Sequence, residues 1–385
     1  MNDRSNQFTL EITTTALCNL GCTYCFEGVK TDTRRLDDKV ELVKQRIREL
    51  YESDFFKNSY DDLNVSFWGG EPTLNGHFIV DVMKEFQHYD NIGFHIYTNG
   101  YNRKRLDAIV DNVDTSKLAI QFSYDGKNIN DKFRLTHSGK PTSTQVIENL
   151  EYFARKGVKL SLKATIPLKS MTGLYAAWKD YKTLYDNLQS IGPNITVSYA
   201  PTIDYVENIP KENLDELIQN FRSEMLQIAK EEIAFFKEHN HHLCTWFNGN
   251  DAKQHCASGA HMHAIDVDGK SYACHGSLYS PNKELQQGSD IHFDSFVADV
   301  EKMAIEYQKP IASMNDICTS CVATTCMICP VSSLDNSKKT DYFERWTDRW
   351  VNNMCGFFKA FGEIDRTVQA YLDRELPERK LEENV

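Results

Sequence analysis

Short apolar runs and longer amphipathic stretches alternate along the chain to about residue 240. Residues 8–14, 63–70, 93–100, 117–126, 158–166 and 194–202 are rich in β-branched and aromatic side chains. Gly, Asp, Asn or Pro bound them, which is the pattern of short strands. The stretch between the first two opens on Asp37 at an N-cap position and carries Val40, Val43, Ile47 and Leu50 at helical spacing. Residues 77–89, 144–157 and 174–188 repeat the same periodicity. Alternation of this kind implies parallel strands joined by crossover helices. The expected fold is α/β: a partial (β/α)6 barrel of TIM type, with a doubly wound sheet as the alternative. Either architecture places chemistry at the C-terminal ends of the strands. The polar motifs fall there: three cysteines after strand one, Gly69-Gly70-Glu71-Pro72 after strand two, Thr98-Asn99-Gly100 after strand three and Ser123-Tyr124-Asp125-Gly126 after strand four.

Beyond the strand–helix region, residues 212–239 read as one long helix and 357–376 as a closing helix. Between them, from about Cys244, glycine and cysteine are frequent and apolar runs are short. Such a region is held by metal more readily than by a large core. The expected domains are 1–240, 241–357 and a C-terminal helix and tail over 358–385.

Composition narrows the class. At 385 residues, 41% hydrophobic and 25% charged, the chain is ordinary for a globular protein. No apolar run approaches ~18 residues, so no membrane span is expected. The N-terminal Met-Asn-Asp-Arg-Ser lacks the apolar segment of a signal peptide, which sets a cytoplasmic expectation. A net charge of −12 disfavours nucleic-acid partners without excluding a local basic groove. The charged tail 374–385 reads as a solvated helix end.

The cysteines carry the sharpest signal. There are eleven, an odd number that cannot all pair, and reducing cytosol keeps few disulfides. They gather at Cys18, Cys22 and Cys25, then at Cys244, Cys256, Cys274, Cys318, Cys321, Cys326, Cys329 and Cys355. Clusters at two ends of a chain suggest metal sites. Three local thiolates can hold three irons of a four-iron, four-sulfur cluster and leave the fourth open. By itself the triplet also fits a zinc site completed from afar, or structural thiols.

C-x3-C-x-aromatic-C at Cys18, Cys22, Tyr24 and Cys25 resembles the radical S-adenosylmethionine (radical SAM) enzymes. The GGEP motif at 69–72 is similar to that superfamily's second motif, although alone it reads equally well as a turn. The resemblance implies that Glu71 binds the SAM ammonium while Gly69 and Gly70 admit a close backbone approach. It implies further cofactor contacts from Asn99, Ser123 and Arg134. Asp125-Gly126 as a turn and Arg134 in a surface ion pair are the plainer alternatives.

The later cysteines resemble the SPASM extension, which carries two auxiliary four-iron clusters. Carried over, the pattern assigns Cys318, Cys321, Cys326 and Cys355 to a distal cluster, and Cys256, Cys274 and Cys329 to a proximal one. Cys244 is the candidate for the vacant proximal position. Here the spacing is C-x2-C-x4-C-x2-C, with both later gaps one residue shorter than in the family pattern. Out of context it also fits a zinc tetrad. His239, His241 and His242 read as a solvated helix end. His275 follows Cys274 where the sulfatase-maturing branch carries a basic aspartate; a histidine can also take a proton there, but the exchange argues against sulfatase maturation.

The resemblance implies three [4Fe-4S] clusters, SAM, and a 5′-deoxyadenosyl radical that abstracts hydrogen from a C–H bond. A peptide or protein substrate is the leading expectation. The alternative is dehydrogenation or isomerisation of a small molecule or an amino-acid-modified nucleotide. A flavodoxin or ferredoxin is the expected low-potential reductant. Strand one begins near Phe8, which leaves no room for an N-terminal leader-binding domain, so leader recognition would need a partner, the C-terminal region, or no leader.

Overall fold

Strand alternation sorts side chains onto two faces. Phe8, Leu10 and Ile12 in β1 (Gln7–Thr15) are buried toward one face, as are Leu63, Val65 and Phe67 in β2 (Asp62–Gly69). Strands β3 (Ile92–Thr98), β4 (Leu118–Ser123) and β5 (Lys159–Lys163) follow the same rule, with Phe94, Ile96, Ile120, Phe122, Leu160 and Leu162. The helices cover this face. They contribute Val43, Ile47 and Leu50 from α1 (Val40–Glu52), and Ile79, Val82, Met83 and Phe86 from α3 (Gly76–Phe86). Burying one such side chain stabilises by about 1.5–3 kcal/mol, and this layer is the core. Between α1 and β2 lies the short α2 (Asp54–Ser59).

The computed structural model describes residues 6–25, 32–192, 194–204, 211–247, 261–278 and 355–376. Helices α4 (Arg103–Val110), α5 (Lys127–Phe133), α6 (Ser143–Arg155) and α7 (Leu174–Leu188) connect the later strands. The main sheet runs parallel in the order β1-β2-β3-β4-β5 and continues to β7 (Ile195–Thr196). The fifth and sixth predicted strands each divide in two. β6 (Thr165–Pro167) and β8 (Thr202–Asp204) pair in parallel as a separate two-stranded sheet. This is the expected mixed α/β, partial-barrel architecture.

The opposite edge was not foreseen. β9 (Met262–Ile265) pairs in parallel with β1, and β10 (Ser271–Tyr272) pairs antiparallel with β9. The cysteine-bearing region therefore extends the barrel's own sheet. The short α9 (His275–Leu278) follows at the same edge.

Helix α8 (Lys211–His239) ends at Asn240, whose φ of 57° is the left-handed C-terminal stop. Helix α10 (Cys355–Glu375) packs along α8: Phe357 meets Phe221 at 5.4 Å, and Arg222 pairs with Glu363 at 2.6 Å. Of the three histidines at the end of α8, His242 corrects the solvated reading: its side chain is buried against Glu232, at 3.0 Å. His239 is half-buried on Phe235, and His241 stays exposed. Glu232 also accepts from the Cys244 amide, so this carboxylate ties the chain down as it leaves the helix.

Candidate functional site

The three-cysteine loop leaves β1 and lies against the chain that follows α5. Gly21 N donates to Leu135 O at 2.8 Å, Thr23 N donates to Phe133 O at 3.0 Å, and Leu20 bridges Thr136. His137 Nε2 lies 3.0 Å from the Cys18 carbonyl, a contact that requires the Nε2–H form of the ring. Cys25 N bonds Cys22 O at 3.3 Å, so the last two thiols share a turn. Cys18 is buried, whereas Cys22 and Cys25 are partly exposed. Among the described residues no three His, Cys, Asp or Glu side chains are close enough for a single metal ion. A four-iron cluster spaces its thiolates more widely than one ion does, and three thiols on one loop fit that group.

The glycine pair explains how β2 reaches this loop. A Cβ on Gly69, at φ +144°, would stand 2.3 Å from the Thr15 carbonyl, and one on Gly70 would stand 2.6 Å from the Ala16 and Leu17 carbonyls. The close approach is to the chain's own backbone, where Gly70 N donates to Thr15 O and Glu71 N donates to Leu17 O, both at 2.9 Å. Glu71 is 1% exposed. Its Oε1 accepts from Thr73 N (3.2 Å), Thr73 Oγ1 (2.6 Å) and Thr98 Oγ1 (2.7 Å), and its Oε2 accepts from Asn99 N (2.8 Å). Burial pushes its carboxyl above the ordinary range, while the hydrogen bonds oppose that rise. No Lys, Arg or His among the described residues pairs with it. A carboxylate has about four lone-pair sites, so Oε2 keeps capacity for a further donor. Asn99 carries the connection onward: its Nδ2 lies 2.7 Å from Asn19 Oδ1 and 3.9 Å from Cys18 Sγ.

Arg134, Tyr24 and Asp125 form one group. Arg134 Nε donates to Asp125 Oδ2 at 2.8 Å, and the Tyr24 hydroxyl donates to the same oxygen. Asp125 is buried just beyond β4, where its other oxygen accepts from Thr165 N at 2.8 Å. Ser123 ends β4 opposite Lys163 of β5, on the face that turns away from the helices. Burial holds the Lys163 ammonium below its usual pKa range.

His275 reaches the same concave face from the far edge. Its Nδ1 lies 2.7 Å from Glu11 Oε2, its backbone N bonds that oxygen at 3.0 Å, and its ring stacks on Trp68 at 4.2 Å. Trp68 in turn meets Tyr97 at 4.8 Å. Cys274 beside it is buried, and Cys355 begins α10. Cys244 is buried in the core, where burial pushes its thiol up. Cys256, Cys318, Cys321, Cys326 and Cys329 lie outside the described residues, as does most of the expected 241–357 domain.

Several contributors had only faint sequence signals. Glu11 is a lone charge at an alternate position of an apolar strand, which itself marks an inward polar site. Thr98 and His137 act through contacts with distant segments that no local spacing encodes, whereas Thr73 meets Glu71 two residues away at the start of a short helix.

Comparison with known proteins matches residues 12–169 to the radical SAM superfamily. A cysteine-type anaerobic sulfatase-maturating enzyme of Clostridium novyi is 24% identical over 274 residues, which is 67% of this chain and 70% of that protein. One from Clostridium perfringens is 24% identical over 176 residues, 43% of this chain and 45% of its own length. The solved structure of native anSMEcpe with bound AdoMet and Cp18Cys peptide superposes with a TM-score of 0.67 at 18% identity, covering 95% of this chain and 99% of that one. This last likeness is one of fold. Such a domain implies SAM and a four-iron, four-sulfur cluster, and the loop and carboxylate described above stand at the strand ends within the matched span. Over residues 12–169, then, this chain is similar to the radical SAM superfamily.

Proposed function

We propose that this protein is a radical SAM oxidoreductase that modifies a peptide or protein substrate. The observation that carries the reading is Glu71: a buried carboxylate with no basic side chain paired to it among the described residues, joined through Asn99 to the cysteine loop. A buried carboxylate is costly unless a cation meets it, and an ammonium is the matching charge. Glu71 would hold the SAM amino group. Cys18, Cys22 and Cys25 would anchor a cluster, and the iron without a thiolate would take SAM. Gly69 and Gly70 keep the β2 end close to that loop. Tyr24, Asn99 and Ser123 would complete the cofactor site. Arg134 spends Nε on Asp125, and the rest of its guanidinium supplies donors for the SAM carboxylate. When bound, cluster and SAM supply a 5′-deoxyadenosyl radical that removes hydrogen from a C–H bond. The barrel's polar inner face orients the substrate and keeps water away.

His275, fixed through Nδ1 by Glu11, is the residue we assign to take the substrate proton. The likeness to sulfatase-maturating enzymes supports a peptide substrate. We further assign Cys274 and Cys355, with Cys256, Cys318, Cys321, Cys326 and Cys329, to two auxiliary clusters in a SPASM-type domain spanning about 241–357. Cys244 packs within the hydrophobic core, as Cys18 and Cys274 do not, which supports a core thiol over a ligand. A flavodoxin or ferredoxin would deliver the electron. The test is direct: anaerobically reconstituted protein with dithionite and SAM releases 5′-deoxyadenosine and methionine, and Cys22→Ala abolishes both. Iron near about twelve per chain matches three clusters. Failure to release either product sinks the reading.

A further inference from the structure

One carboxylate gathers the cysteine loop and a guanidinium. Asp125 Oδ2 accepts from both Arg134 Nε, at 2.8 Å, and the hydroxyl of Tyr24, which lies between Cys22 and Cys25. Thr165 N holds the other oxygen at 2.8 Å, so the carboxylate cannot turn away. The Arg134 guanidinium stands over the Tyr24 ring, 5.4 Å from its centroid, and Tyr24 is two residues from Cys22 on the same loop. Arg134 itself sits between Phe133 and Leu135, whose carbonyls bind the loop at Thr23 and Gly21. Asp125 is 0% exposed and Arg134 12%, so solvent screens neither charge well.

We propose that the Asp125–Arg134 pair tunes the N-terminal cluster: Asp125 holds Arg134 over the Tyr24 ring of the cysteine loop, and the two charges together set the potential at which that cluster accepts its electron. The proposal rests on the reading that Cys18, Cys22 and Cys25 carry a four-iron cluster. Reduction adds one electron, from a low-potential one-electron donor, and hence one negative charge to the cluster. A nearby cation stabilises the reduced state and a nearby anion destabilises it, so net charge and hydrogen bonding tune the potential. Asp125 and Arg134 therefore act with opposite sign. A strap with only a structural role would loosen the loop in either variant, without opposed shifts.

The experiment is an EPR-monitored redox titration of the full, reconstituted protein, using dithionite and mediators without SAM. SAM added afterwards identifies the N-terminal cluster by the change in its signal. Asp125→Asn is expected to shift its midpoint potential upward and Arg134→Gln downward. Arg134→Lys keeps the charge and recovers most of the downward shift. Tyr24→Phe, which removes a neutral hydroxyl, moves it less than either charge change. Shifts of the same sign, or none, overturn the proposal. Should Asp125→Asn not fold, equal potentials for Arg134→Gln and Arg134→Lys overturn it as well. A four-iron signal missing from the unaltered protein defeats the proposed function itself, an outcome distinct from a signal that is present and unmoved.

Discussion

Glu71, proposed above to hold the SAM amino group, shows how burial and hydrogen bonding together fix a single side chain. Four donors from Thr73, Thr98 and Asn99 fix its carboxylate, while burial raises the cost of its ionised form. Replacing it with glutamine keeps the shape and removes the charge. A hydrogen bond to a charged group contributes about 1.5–3 kcal/mol, so Glu71→Gln should weaken SAM binding roughly ten- to a hundredfold while iron content holds. Equilibrium dialysis with SAM and iron analysis on the same samples check both halves. The pH dependence has a definite sign. A raised carboxyl protonates at a higher pH than a free glutamate does, and the protonated form no longer pairs with an ammonium. SAM affinity should therefore fall on acidification, beginning above the ordinary glutamate range, and Glu71→Gln should remove that dependence. The motif was legible in the sequence because Gly-Gly-Glu-Pro is contiguous. Part of its supporting shell was not, since Thr98 and Asn99 reach Glu71 from the end of the next strand.

At the scale of elements, the site is a crossing of two chain segments. The end of β2 runs so close to the exit of β1 that side chains are excluded at Gly69 and Gly70. The obstacles are backbone carbonyls, which cannot rotate aside as a flexible side chain can. Gly70→Ala must move the Ala16–Leu17 backbone, and with it the first cysteine. An overpacking cost of about 1–3 kcal/mol is expected, together with loss of the N-terminal cluster's share of the iron. Urea unfolding and iron analysis test this, and an alanine variant with full iron and unchanged stability would contradict it. The strands and their helices were readable because one face of each strand is continuously apolar. The divided fifth and sixth strands and the β9–β10 extension were not. Each is only two to four residues long except for the five of β5, and β9 finds its partner about 250 positions away, beyond the reach of local periodicity.

At the scale of the molecule, two of the junctions between the C-terminal part and the barrel stand out among the described residues. β9 pairs with β1 at one edge, and α10 lies along α8 on another side. The second junction is aromatic: Phe361 meets Trp246 at 5.2 Å and Phe247 at 5.0 Å, and Phe357 meets Phe221. Phe361 is completely buried, so truncating it leaves a cavity between α10 and the segment that follows α8. The cost expected for Phe361→Ala is about 3–5 kcal/mol. If the last helix were an independent appendage, the loss would appear as an early partial transition in fluorescence, ahead of the loss of helix in the barrel. With α8 and α7 packed on the same barrel, we expect the whole cost to fall on one cooperative step. Far-ultraviolet circular dichroism reports the helices of the entire chain, and tryptophan fluorescence reports Trp68, Trp178 and Trp246 together with Trp346 and Trp350, which lie outside the described residues. Coincident urea midpoints in the variant, both below those of the unaltered protein, mean that C-terminal helix and barrel unfold as one body; a fluorescence transition that precedes the dichroic one separates them.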